Sequence, residues 1–304
     1  VRRTQVGPNG EAPDTITTTL SEVDQEVRWA WGKVYSGSVA DRDQAADEFM
    51  AKYDAYMYDG EPFHVSAILG SEIREIWMKA KKTAQCLDEW SPDVLAMLSS
   101  RCYDYIATLL NMIEAGSPWP KGMHMAKAAF LVKDPAKVED PLAYRVLLIL
   151  AAVYRRCATL RLSHLAVWIA QRQLPEMYAG IRGKGADDAW MGTALLIEDV
   201  ETRRLFCTGG VADVYKCFDQ LNRSVIYKMA ERGGMPRRVL DAYQRFQENL
   251  MARTAVADGL GKPYSKPCSI PQGCPFSMML VAYIIRPWLL RMRQLNVVPR
   301  VLAD

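Results

Sequence analysis

Residues 41–58 place Phe49, Tyr53, Tyr56 and Met57 at helical spacing, and Gly60 ends the run. A second helix is predicted from Ser71, a residue suited to capping, with Ile73, Ile76, Trp77 and Ala80 on one face. Ser91 and Pro92 open a longer helix that Gly116 closes, with Leu95, Leu98, Cys102, Ile106, Leu109 and Ile113 as its stripe. All three stripes read as scaffold core. At 126–132 the period changes to that of a strand ending at Lys133, and a charged, proline-containing loop fills 134–141. Tyr144 and Arg145 then open an apolar helix to about 173, which Pro175 ends, and Asp187 caps another through Leu196. Residues 203–213 read as a central strand. A helix follows from 218 to 232, stopped by Gly233 and Gly234, and another from Pro236 to near 251. Residues 255–262, with Gly259 and Gly261, read as a hairpin, and the last helix runs to about 295 with a kink at Pro287. Residues 1–38 are polar, with Gly, Pro and Thr, and read as a linker or loosely packed arm. A mainly helical part gives way near residue 200 to mixed strands and helices.

Composition narrows the class. Half of the 304 residues are hydrophobic, enough for a sizeable core and too many for a disordered tail. A net charge of +3 neither demands nor excludes a nucleic-acid partner. Seven cysteines without a C-x-x-C pair, and only three histidines, give no zinc pattern and fit a reducing intracellular setting, nuclear or cytoplasmic. The apolar run at 146–153 is too short to span a bilayer, and Arg286 and Pro287 interrupt the one at 278–290. No signal peptide is visible, so no membrane partner is expected.

Three stretches carry candidate chemistry. The string V-A-D-V-Y-K-C-F-D at 211–219 reads as a strand delivering Asp213 at its end and turning into a helix that Asp219 caps. The string S-I-P-Q-G-C-P-F-S at 269–277 is a stiff turn in which Gly273 permits close backbone approach and Gln272 offers both donor and acceptor. The string V-L-A-D at 301–304 is a short apolar strand with Asp304 at its tip. Taken singly, each has an ordinary structural reading: a cap, a turn, an exposed end. Neighbouring strands lie about 5 Å apart, however, and two strand-tip carboxylates at that spacing suit hard divalent cations.

Carboxylate, Pro-Gln-Gly turn and carboxylate, in that order, resemble a polymerase palm, and in particular the reverse transcriptases of non-LTR retrotransposons. The resemblance covers roughly residues 70–304. It implies an α+β fold: helix-rich fingers over 70–200 and a palm over 201–304, its antiparallel sheet backed by helices, with a linker segment over 1–69. The family's last motif is Ala-Asp-Asp, whose second Asp would lie beyond Asp304. With no initiator Met at Val1 and no thumb, a fragment truncated within the palm is expected, inactive alone.

The implied activity is RNA-directed DNA polymerisation, adding dNTPs to a DNA primer on an RNA template. Two Mg²⁺ ions about 4 Å apart would serve it, with Asp213 and Asp304 as catalytic metal ligands. Asp213 and Phe218 match the family's D-x-x-x-x-F-D, which implies that Phe218 is a steric gate against the ribose 2′-hydroxyl. Gln272 and Gly273 match the G-x-P-Q-G-x-x-x-S loop lining the incoming nucleotide and template base; Ser269 departs from its first Gly. Lys133, in F-L-V-K, and Arg145, in Y-R, resemble the pair that grips the triphosphate, although Val146 and Leu147 replace the usual Pro-Ile. Arg182 and Lys184 resemble the G-F-R-x-x-R-S loop that follows the template, with Ile181 at the Phe position. The string C-L-D-E-W at 86–90 resembles the G-x-D-G-x segment that begins such domains. Two alternatives stay open: an RNA-dependent RNA polymerase palm, which usually keeps a smaller gate, and a non-catalytic RNA-binding remnant.

Overall fold

Four strands form one mixed sheet in the computed structural model, which describes residues 1–3, 12–80, 83–181, 183–256 and 259–302. They are β1 (Met125–Val132), β2 (Tyr144–Ile149), β3 (Met251–Val256) and β4 (Gly259–Ser265), in the order β2-β1-β3-β4. β1–β2 and β3–β4 are antiparallel, and β1 joins β3 in parallel from Met125 opposite Met251 to Ala129 opposite Ala255. The sheet expected from the resemblance is antiparallel; the observed one is mixed. The reason is connectivity. Each antiparallel pair is local in sequence, whereas β1 and β3 meet only after a long crossover, and such a connection permits parallel pairing.

Alternation along the strands sets two faces. Ala126, Ala128, Val146, Leu148, Ala252 and Thr254 are buried against the core, while Met125, Lys127, Arg145 and Arg253 occupy the other, more open face. α1 (Leu20–Tyr35) packs against β3 and β4, α2 (Arg42–Lys52) follows it, and α3 (Gly70–Met78) packs against α4 (Pro92–Ala96), α5 (Ser100–Glu114) and α6 (Ala152–His164). The remaining helices are α7 (Ala166–Ala170), α8 (Ala186–Thr202), α9 (Cys217–Gln220), α10 (Arg223–Arg232), α11 (Arg237–Glu248) and α12 (Phe276–Gln294). α12, with Pro287 inside it, is buried on nearly every side over 276–283, as befits a central helix. Three tryptophans tie distant segments together through their indole N–H: Trp31 to the Pro141 carbonyl, Trp119 to Ala242 and Trp168 to Gly233.

Several sequence expectations are corrected. Residues 20–35 are not a linker but an amphipathic helix, burying Val23, Val27, Ala30, Trp31 and Tyr35. The helix expected over 92–116 breaks between α4 and α5, and the buried line of α5 is Tyr103, Ala107, Leu110 and Glu114 with Ile113. The predicted Cys102, Ile106 and Leu109 sit half-buried one position away. Residues 144–149 are strand β2, not the start of a helix; the helical stretch begins at Ala152 and is split into α6 and α7. Residues 203–213 form no strand: they are irregular and exposed, with Phe206 106% and Val211 103% accessible. A strand is stabilised by a paired neighbour, and no described segment lies beside this one. The hairpin over 255–262 and the final helix are where the sequence placed them, the hairpin strands being longer.

Candidate nucleotide site

The loop at 269–277 is built by hydrogen bonds within itself and to the turn around α9. Ser277 Oγ donates to the Pro271 carbonyl at 2.7 Å, and Cys274 N donates to the same oxygen at 3.1 Å. Ile270 N donates to the Phe218 carbonyl and Ser269 N to the Leu221 carbonyl, both at 2.9 Å. Arg223, buried and paired with Glu248, adds its Nη1 to the carbonyls of Lys266 and Ser269. On the opposite side Leu148 N of β2 donates to the Gln272 carbonyl at 2.9 Å. The motif loop is therefore pinned between α9 and the sheet.

Two backbone angles explain its residues. Gly273 has φ +130°, and a Cβ there would run into the Leu148 carbonyl oxygen, so glycine is required by both angle and space. Ser269 has φ +102°, which is glycine territory. The position where the sequence departs from the resembled motif is thus one at which glycine would sit without strain.

The residues singled out by sequence fall into two sets. Lys133, Arg145, Phe218, Gln272 and Gly273 come together. Leu131 stands opposite Arg145 in the β1–β2 register, which puts exposed Lys133 diagonally across from exposed Arg145 on one face. Both lower the pKa of Lys216 through repulsion, after the larger effect of its burial. Lys216, left-handed at φ +50°, donates from Nζ to the carbonyls of Leu142 (2.7 Å) and Tyr144 (2.8 Å) and lies over the Trp31 ring. That contact joins the start of α9 to the start of β2 and brings α1 to the site. Phe218 is buried in the main core, its ring among apolar neighbours.

Asp213 and Lys184 stand apart from these. Asp213 is exposed on irregular backbone, with no hydrogen bond or ion pair to another described residue. Lys184 donates to the Pro175 carbonyl at 2.6 Å and lies 5.1 Å from the Tyr178 ring centre. Asp304 and Arg182 lie outside the described residues. Val301 pairs with Met177 in an isolated bridge.

Asp219 is the residue that sequence reasoning misplaced. It does not cap α10, whose cap is Asn222, accepting from Ser224 N. Instead its carboxylate is buried, accepting from Gln272 Nε2 at 3.2 Å and from Lys266 Nζ at 3.4 Å. Its adjacency to Phe218 in the motif was the available signal; the short α9 turn aims it inward. Burial raises the Asp219 pKa, against the attraction of Lys266 and Lys216. Burial also pushes the Lys266 ammonium down to about 8, with Asp219 opposing.

These shifts predict a pH profile. An unfolded lysine titrates near 10.4, so between about pH 8 and 10.4 the unfolded chain holds the extra proton and stability rises with pH. Asp219 acts in the other direction: above the unfolded value near 3.9 the folded chain holds the extra proton, and its contribution falls with pH up to its raised pKa. The buried Cys157 and Cys274 thiols, raised to about 12 and about 11, make stability fall with pH in any variant that keeps them, so urea melts from pH 7 to 10 should show a more positive slope in the parent than in Lys266→Met. An identical slope in both would refute the assignment.

The described residues do not assemble the carboxylate pair that two magnesium ions would need. Asp213 is isolated, Asp219 is engaged by Lys266 and Gln272, and no group of three or more His, Cys, Asp or Glu side chains suited to a metal occurs among the described residues. No helix of the described residues is long and apolar enough to cross a membrane. Compared with protein-family models and with curated proteins, the chain gives no match.

Proposed function

We propose that the chain is the fingers-and-palm part of an RNA-directed DNA polymerase of the non-LTR retrotransposon type, and that the α9 turn with the 269–277 loop forms its nucleotide-binding end. One observation carries this reading. Segments far apart in sequence, Phe218–Asp219 and Ile270–Gln272, are bonded to each other twice, beside the exposed cations Lys133 and Arg145. Gln272 and Gly273 remain accessible at the same place. A triphosphate is met by cations on an accessible face, and Arg suits bidentate contact where Lys gives a point charge.

The test is binding of dATP to the chain carrying an RNA template annealed to a DNA primer, with uridine as the next template base. Lys133→Ala and Arg145→Ala should each weaken dATP on the order of tenfold, the worth of one charge-assisted contact, with little effect on the hybrid. Unchanged dATP affinity in both would overturn the reading. A second reading, an RNA-binding remnant without chemistry, is favoured by the isolated, exposed position of Asp213. Magnesium-dependent primer extension that disappears in Asp213→Ala would decide against it.

A further inference from the structure

We propose that Asp219, held in place by Lys266, is the positioning residue of Gln272: it takes the amide nitrogen and so commits Gln272 to present its oxygen, a pure acceptor, to the nucleotide. The proposal rests on the nucleotide-binding reading above and goes beyond it by assigning the polarity of the contact.

A glutamine amide is a donor at one end and an acceptor at the other, and a free one flips to suit whatever it meets. An ionised carboxylate accepts and never donates, so only Nε2 can face it. With Asp219 Oδ2 3.2 Å from that nitrogen, Oε1 is turned the other way. Asp219 is itself 2% exposed and cannot swing out to solvent. Lys266, 8% exposed, supplies the opposite charge on Oδ1 at 3.4 Å, and its ammonium lies 4.1 Å from the centre of the Tyr35 ring. The Gln272 backbone is fixed separately through Leu148 N, and its side chain is partly exposed. With the backbone anchored and Nε2 held at Asp219, the end of the amide left for a ligand to meet is Oε1, an acceptor. The ligand group that meets Oε1 must donate: a sugar hydroxyl or a base amine, not a phosphate oxygen.

Two variants test this. Asp219→Asn keeps the shape but can donate or accept, so the amide of Gln272 is free to flip. Asp219→Leu with Lys266→Met removes the hold together with the ammonium that would otherwise be stranded, and exchange of a buried ion pair for apolar groups is often tolerated. Two readouts are needed on the full chain. Selective ¹⁵N-glutamine labelling follows the Gln272 side-chain amide, identified by its loss in Gln272→Glu. Titration of dATP onto the RNA–DNA hybrid complex gives affinity. Expected are movement of the Gln272 amide signals towards those of exposed glutamines and a loss of dATP affinity on the order of tenfold in both variants. Unmoved amide signals, or moved signals with unchanged dATP affinity, would overturn the positioning role and leave the nucleotide reading intact. A parent chain that binds no dATP at all would overturn the nucleotide reading, and this proposal with it.

Discussion

Gly273→Ala is expected to lower the stability of the chain by about 3 kcal/mol and to loosen the turn between Pro271 and Cys274. Two costs combine at this position. An alanine at φ +130° is forced into a region that side-chain-bearing residues avoid. Its methyl would also collide with the Leu148 carbonyl oxygen, which is backbone and cannot rotate aside. Relief requires β2 and the loop to separate, and this breaks the bond from Leu148 N to the Gln272 carbonyl. Because that bond orients Gln272, dATP affinity should fall along with the urea midpoint. A variant as stable as the parent, with its nucleotide affinity unchanged, would show that the loop is not clamped against the sheet.

Arg161→Met should cost about 3–5 kcal/mol, the usual consequence of stripping one partner from a buried ion pair. Arg161 in α6 is 1% exposed and grips both oxygens of Glu114 in α5, each at 2.6 Å. The same guanidinium donates to the Ser66 carbonyl at 2.8 Å and to His164 Nδ1. His164 must then carry its proton on Nε2, which faces Glu72 of α3. One side chain thus joins α3, α5, α6 and the 60s loop. Without it, Glu114 keeps, among the described residues, the Arg238 guanidinium at 3.3 Å as its cationic partner. Arg161→Met with Glu114→Leu should recover most of the loss, since no buried charge then lacks a partner. Chemical denaturation of the two variants measures this, and a single variant within 1 kcal/mol or so of the parent would refute it.

What the sequence disclosed depended on whether a signal was local. The strand-like run at 126–132, bounded by Lys133 and a charged loop, and the glycines at 259 and 261 marked β1 and the second hairpin because each signal is local. The run at 146–153 carries no period, and a buried strand and a buried helix then look alike. It turned out to be β2 followed by the start of α6. α1 has a regular apolar face, but its polar surroundings and the buried Asp24 and Glu26 disguised it. At the site, the motif order led to Phe218, Gln272 and Gly273, and the contexts of Lys133 and Arg145 led to their shared face. Lys266 and Arg223 carried no motif: their roles arise from burial and from carbonyls they reach in three dimensions. The propensity of 203–213 for strand was real in composition, yet pairing is a property of neighbours, which composition does not supply.

The parallel contact between β1 and β3 has a kinetic consequence. Its two sides are well over a hundred residues apart in sequence, so the sheet closes only after a large loop has been ordered. During synthesis the β1–β2 hairpin leaves the ribosome long before β3 exists. Over that interval the edge at 125–129, later covered by β3, presents unpaired N–H and C=O groups. A nascent chain halted before residue 251 would therefore be prone to self-association through this edge, and full-length folding should be slow, with its rate set by the meeting of the two hairpins.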